Sequence, residues 1–176
     1  MSTNTEAGQP PFPHLDFDGR RIGGDEPPLI IAEAGSAHNG EPEKARQLIR
    51  YARDAGADCI KFQAIYADEI VHPAAGAIRL PGGDIPVWER FRRLEREPDF
   101  YALLKEESEA AGLLFLCSPF GVRSAEMLLS LGAEALKIAS PELNHFPLLE
   151  KAAAVPLLIS TGVSRLSDIE ETVSFL

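Results

Sequence analysis

The sequence predicts an α/β fold that forms part of a (β/α)8 TIM barrel, with about five βα units whose parallel strands lie side by side in chain order, 1-2-3-4-5. Three observations carry this. Short apolar runs recur along the chain, each is accompanied by helix-patterned sequence, and each ends in a polar side chain that strand packing does not require. Strands that alternate with helices pair in parallel through right-handed crossovers. Units of roughly 30 residues scale to ~240 for eight, close to the ~250 of a closed barrel. The competing architecture is an open five-stranded sheet with helices on both faces, which would be complete at this length.

Residues 1–28 read as an N-terminal extension rich in Pro, Gly, Ser, Thr and Asp. Within it Phe12, Leu15, Phe17 and Ile22 leave open either a small lid or hairpin or a loosely ordered tail. The first strand is Leu29–Glu33. A helix over Glu43–Ala55 follows, because Ala45, Leu48, Ile49 and Ala52 recur at helical spacing and Gly56 can end it. The second strand is Cys59–Gln63. A helix over Phe100–Ala111, with Asp99 as N-cap and Gly112 as terminator, leads into the third strand, Leu113–Ser118. Ser124–Leu131 is a shorter helix stopped by Gly132, and Ala135–Ser140 is the fourth strand. A helix over Pro147–Ala154 opens on proline, which suits a first turn. Pro156–Thr161 is the fifth strand and Ser167–Phe175 the fifth helix. Residues 29–176 therefore read as the N-terminal part of a barrel domain, ending after its fifth helix.

One connection is long. Tyr66–Asp99 contains the turn signal Pro81–Gly82–Gly83–Asp84 and the helix-like stretch Trp88–Arg96. Loops of this size are commonly binding elements or lids, here extended over the strands' C-terminal ends; the alternative is an inserted surface helix on the barrel's side.

The formal charge of −10 argues against nucleic-acid and anionic-membrane binding, which use clustered Lys and Arg. Cys59 and Cys117 both fall within apolar strands and read as buried, reduced thiols of a cytosolic protein. No apolar stretch approaches the ~20 residues of a membrane span, and the N-terminus lacks a signal-peptide pattern. The expected location is cytoplasmic.

Lys61 and Lys137 are the sharpest candidates for chemistry. Alternation turns both to the face that carries Cys59 and Ala135, which in a barrel is the interior. A buried ammonium needs a carboxylate or an anionic ligand. Either each lysine pairs internally with Glu33 or Glu142, or the two share one anion. Glu33, Gln63 and Glu142 suit sugar-hydroxyl recognition or proton transfer, or simple capping and ion pairing. Ser118, Ser140, Ser160 and Thr161 offer hydroxyls beside backbone N–H groups for phosphate oxygens. His38, in the first βα loop, is poised either to contact substrate or to order the loop; His145 lies in the fourth, beside Asn144. No His, Cys or Asp grouping has metal-ligand spacing, and no Walker loop, dinucleotide fingerprint or nucleophile elbow occurs.

Taken in order, Ile30–Ile31–Ala32–Glu33–Ala34–Gly35, His38–Asn39–Gly40, Ala55–Gly56–Ala57–Asp58, Lys61–Phe62–Gln63, Ser118–Pro119–Phe120, Lys137–Ile138–Ala139–Ser140, Glu142 and Ser160–Thr161–Gly162 form a set. That set resembles the sialic acid synthase family, from about Leu29 to the last residue. The resemblance implies a metal-dependent, C–C bond-forming synthase on a (β/α)8 barrel, condensing phosphoenolpyruvate with N-acetylmannosamine or a related amino sugar. It implies that Lys61, Lys137, Ser118, Ser140 and Ser160 hold phosphoenolpyruvate. Glu33 and Glu142 would be the catalytic carboxylates, Glu33 near the reacting carbons and Glu142 with Gln63 against the acceptor.

The resemblance further implies a divalent metal, manganese or magnesium, that polarises the sugar aldehyde through histidines on later strands, hence with no ligands in this chain. A C-terminal antifreeze-like domain and a homodimer are implied for the full-length enzyme. The 176 residues alone are therefore expected to lack turnover. Two departures bear on the acceptor: Pro141 stands where the family commonly has a small residue, and Ser36–Ala37 replaces a frequent Val–Asn or Ile–Asn pair. Two other functions fit the same residues, a Schiff-base aldolase using Lys137 or Lys61 as nucleophile and a non-catalytic sugar-phosphate-binding or oligomerisation module.

Overall fold

The computed structural model describes residues 14–80 and 83–176. Phe12 and the Pro81–Gly82 half of the turn signal lie outside them. The chain opens with an antiparallel hairpin, β1 (Leu15–Phe17) and β2 (Arg20–Ile22), and so takes the hairpin alternative for the extension. Then come β3 (Ile31–Gly35), α1 (Pro42–Asp54) and β4 (Cys59–Gln63). The long connection holds α2 (Ala67–Ile70), a second hairpin of β5 (Ala77–Leu80) and β6 (Gly83–Pro86), and α3 (Val87–Arg92). The remainder is α4 (Pro98–Ala110), β7 (Leu114–Ser118), α5 (Val122–Ser130), β8 (Leu136–Ile138), α6 (Phe146–Ala152), β9 (Leu157–Ile159) and α7 (Leu166–Phe175).

The five core strands pair in parallel in the order β3-β4-β7-β8-β9, which is chain order, and the doubly wound alternative falls with that finding. The two faces of the sheet differ. Ile60, Phe62, Phe115, Cys117, Leu136 and Ile138 turn outward into one core with Ala45 and Ile49 of α1, Leu104 of α4, Leu128 of α5 and Leu148 of α6. Cys59, Leu116 and Ala135 turn the other way and meet Phe17 of the N-terminal hairpin, 1% exposed, with Ile31, Leu114 and Leu158 around them. Helices on one face and a hairpin plug on the other are barrel architecture. Burying a phenylalanine stabilises by about 1.5–3 kcal/mol, so the hairpin holds the inner face closed at its N-terminal end. Arg20 fixes the hairpin by an ion pair with Asp58, whose carboxylate also accepts the Ile30 N–H at 2.8 Å. Those contacts, Arg20 first, hold the Asp58 carboxyl below its usual range.

Several boundaries differ from the sequence reading for local reasons. The first strand begins two residues later, because Ile30 gives its N–H to the Asp58 side chain and stays exposed. It also runs on to Gly35 through a register shift after Glu33. Helix α4 starts at Pro98, with Glu97 rather than Asp99 at the cap, since a proline fits the first turn. Ser124 lies inside α5, where its hydroxyl accepts N–H bonds from Phe120 and Gly121 at 3.0 and 3.2 Å. The fourth strand stops at Ile138, and Ser140–Glu142 forms a single 3-10 turn opened by Pro141.

The long excursion sits over the C-terminal ends of the strands. Its base is tied down at three places. Glu95 accepts the Ala67 N–H at 2.7 Å, and Glu69 accepts the Ser124 N–H at the start of α5 with both oxygens at 3.2 Å. Arg96 donates to the carbonyls of Asn39 and Gly40 at 2.9 and 3.1 Å, which joins the excursion to the first βα loop. Gly40 is required there: its φ is +75°, and a Cβ would lie 1.6 Å from the Arg96 guanidinium.

Candidate active site

At the strands' C-terminal ends, Glu33, Lys61, Gln63, Ser118, Lys137, Ser140 and Ser160 line one pocket of about 430 Å³. Their convergence follows from register. Glu33 pairs with Lys61, and Gln63 with Ser118, across adjacent strands, while Lys137 pairs with Leu158, two residues before Ser160. All of these side chains stand one or two pleats above the Phe17 plug. Gly35 leaves the strand at φ +55°, a conformation side chains resist, and a Cβ there would press on the Glu33 carboxylate at 3.3 Å.

The two lysines are held differently. Lys61 is ion-paired with Glu33, one of the internal pairings that alternation left open. Its side chain is 13% exposed while that of Glu33 is 52% exposed, so the pair reaches from the pocket floor to its lip. Lys137 has no carboxylate partner among the described residues. It donates to the Ile138 carbonyl at 2.8 Å and to the Ser160 hydroxyl. Burial pushes its pKa down, and the Lys61 charge pushes it further the same way. Two neighbouring ammonium groups with hydroxyls and one carboxylate leave a local excess of positive charge inside an acidic chain, a combination that a small dianion would neutralise.

Glu142 stands apart from this pocket. It lines an adjoining cleft of about 590 Å³ with Ser36, Gln63, Phe120, Pro141 and Arg90. Burial raises its pKa, opposed by a 3.3 Å contact to His145 Nδ1. A further cleft of about 820 Å³ runs from Glu33, Gly35 and Gln63 to Arg90 and Arg93. Gln63 borders all three spaces, so it marks the junction between the lysine pocket and the clefts.

His38 is a loop-ordering residue. It is 2% exposed, its Nδ1 accepts the Gly40 N–H at 2.9 Å, and its ring packs on Phe62 and Phe100 with centroids 5.9 and 5.0 Å away. Burial, then the nearby Arg96 charge, lowers its pKa to about 4, so the ring is neutral near pH 7. Cys59 and Cys117 are free and buried, and burial pushes the Cys59 thiol up to about 12.

Sequence reasoning did not single out Arg90, Arg93 or Arg96. The available signal was the run of arginines within Trp88–Arg96, whose spacing of three places Arg90 and Arg93 on one helical face.

Over residues 48–176 the sequence matches the NeuB family. The chain belongs to the NeuB family. Its relatives there include the N,N'-diacetyllegionaminic acid synthase of Legionella pneumophila, 34% identical over 151 residues, which are 82% of this chain and 42% of the relative. The human N-acetylneuraminate-9-phosphate synthase is 33% identical over 160 residues, 87% of this chain and 44% of its own length. Among solved structures, the N-acetylneuraminic acid synthetase of Leptospira borgpetersenii in complex with citrate superimposes with a TM-score of 0.82 at 34% identity. That match covers 93% of this chain and 55% of the other. The chain thus spans less than half the length of the two curated relatives named here.

No three metal-binding side chains converge among the described residues. No helix there is long and apolar enough to cross a membrane.

Proposed function

We propose that the NeuB protein containing this chain condenses phosphoenolpyruvate with N-acetylmannosamine or a related amino sugar, giving a nonulosonic (sialic) acid and free phosphate. In this reading residues 29–176 supply the first five βα units of the barrel. The observation that carries it is the lysine pocket, where Lys137 lacks a carboxylate partner among the described residues, Lys61 stands beside it, and three serines face the same space.

Phosphoenolpyruvate carries a carboxylate and a phosphate, and fixed ammonium and hydroxyl donors complement both without reorganising. Held there, its methylene carbon attacks the aldehyde carbon of the open-chain sugar and forms the new C–C bond. Water adds to the cationic C2, and phosphate leaves as its C–O bond to C2 breaks. Glu33, at the pocket's lip, is placed to accept the proton of that water. Gln63, at the junction of the spaces, and Glu142, in the cleft beside it, hold hydroxyls of the acceptor. The raised pKa of Glu142 suits a carboxyl that exchanges a proton with the sugar. A divalent cation, manganese or magnesium, belongs to this proposal, but the described residues offer no ligand set for it and no step here is routed through it. A cytoplasmic homodimer completes the reading.

One observation favours a second reaction type. A lysine whose pKa is lowered by burial and by a neighbouring cation is the pattern of an amine nucleophile, so Lys137 could form a Schiff base in an aldolase. The complete protein distinguishes the two. With phosphoenolpyruvate, N-acetylmannosamine and manganese, the synthase releases phosphate only when the sugar is present, and mass spectrometry finds the nine-carbon acid. Borohydride trapping of pyruvate on Lys137, without phosphate release, would replace the synthase by the aldolase.

A further inference from the structure

We infer that Arg90 and Arg93 form a subsite for a phosphate group on the acceptor, which makes a phosphorylated amino sugar the preferred second substrate. This rests on the synthase reading and specifies its acceptor. Of the four arginines from Arg90 to Arg96, two are engaged: Arg92 with Glu95, and Arg96 with backbone carbonyls that include those of Asn39 and Gly40. Arg90 and Arg93 have no ion pair or side-chain hydrogen bond among the described residues, although the chain carries 27 carboxylates against 17 Lys and Arg. Their spacing of three along α3 and its C-cap puts them on one face, and that face borders the 820 Å³ cleft. The opposite wall of the cleft is Glu33 and Gln63, the rim of the lysine pocket.

An anion met by these guanidiniums therefore belongs to the molecule in the cleft. In the proposed reaction both acidic groups of phosphoenolpyruvate are held in the lysine pocket, so the anion is carried by the sugar. Two neighbouring guanidinium forks match the oxygens of a phosphate ester, whereas a neutral sugar would leave both charges without a partner.

The test uses the complete protein and two acceptors, N-acetylmannosamine and its 6-phosphate, with saturating phosphoenolpyruvate. The wild type should favour the phosphorylated acceptor in kcat/KM by about tenfold or more, and R90Q and R93Q should each cut that preference by roughly tenfold. The thermal midpoints should stay unchanged, since both side chains are exposed. Condensation of the neutral sugar with equal or better kcat/KM, or a preference that survives R90Q/R93Q, would overturn the subsite alone. Condensation of neither sugar by the wild type would instead remove the synthase reading beneath it.

Discussion

Lys61 gives its charge to Glu33 on the neighbouring strand, while Lys137, facing the same pocket, holds only neutral oxygens. This asymmetry means that the two lysines respond differently to removal. Lys137→Met relieves an ammonium whose lowered pKa shows that burial disfavours it, so stability should hold or rise, within about 1 kcal/mol. Lys61→Met strands a carboxylate that is 52% exposed, so the loss should stay near 1 kcal/mol, below the roughly 3–5 kcal/mol of a fully buried orphan. Urea unfolding of the variants measures both; a loss above about 3 kcal/mol for Lys137→Met would mark it as structural.

The same lysine sets a pH dependence. Its folded-state pKa lies below the ordinary 10.5, so between the two values the unfolded chain binds more protons and stability rises with pH across that window. An anionic ligand favours the ammonium form and raises the pKa again. Phosphoenolpyruvate should therefore bind with proton uptake in that window, and its affinity should fall as pH climbs through the depressed value. Calorimetric titrations in buffers of differing ionisation enthalpy read the uptake, and K137M should abolish it. A buffer-independent heat in the wild type would rule out Lys137 as the titrating contact.

How much of this was legible in the sequence depended on how local the signal was. Strand Cys59–Gln63 was read at both ends, because alternation and Gly56 before it leave one register. The convergence of Lys61, Lys137 and the serines followed from parity within strands, since a parallel sheet in chain order keeps inward residues together. The displaced start of β3 was not legible, because Ile30 is apolar yet spends its N–H on Asp58, 28 positions away. Nor was the second hairpin, whose strands lie in a segment read as loop and helix. Arg90 and Arg93 gain meaning only once α3 is laid over Glu33 and Gln63, a relation that no local pattern encodes.

His38 should make the fold acid-sensitive. Its folded pKa is about 4 against the ordinary 6.5, so between those values the unfolded chain takes up a proton that the folded chain refuses. Stability should fall as pH drops from 6.5 to 4, by on the order of 1–2 kcal/mol once solvent screening is allowed for. His38→Asn keeps an acceptor for the Gly40 N–H and removes the titration, so its stability should vary less over that range. An identical slope in both proteins would assign the acid sensitivity elsewhere.

Gly40 and Arg96 should be energetically coupled. Gly40→Ala adds a methyl that overlaps the guanidinium at a left-handed backbone position, and should cost about 1–3 kcal/mol. Arg96→Ala removes the group in the way, so the double variant should lose less than the sum of the singles by 0.5 kcal/mol or more. Strict additivity in the unfolding free energies would show that the excursion and the first loop are not joined at this point.

The pocket's role is tested most directly by titrating phosphoenolpyruvate into the complete protein, its K61M variant and its K137M variant by calorimetry near pH 7. Loss of a charged contact to the ligand costs about 2–5 kcal/mol, so each variant should bind at least roughly thirtyfold more weakly while its thermal midpoint stays near that of the wild type. Unchanged affinity in both folded variants would contradict the assignment of this pocket to phosphoenolpyruvate.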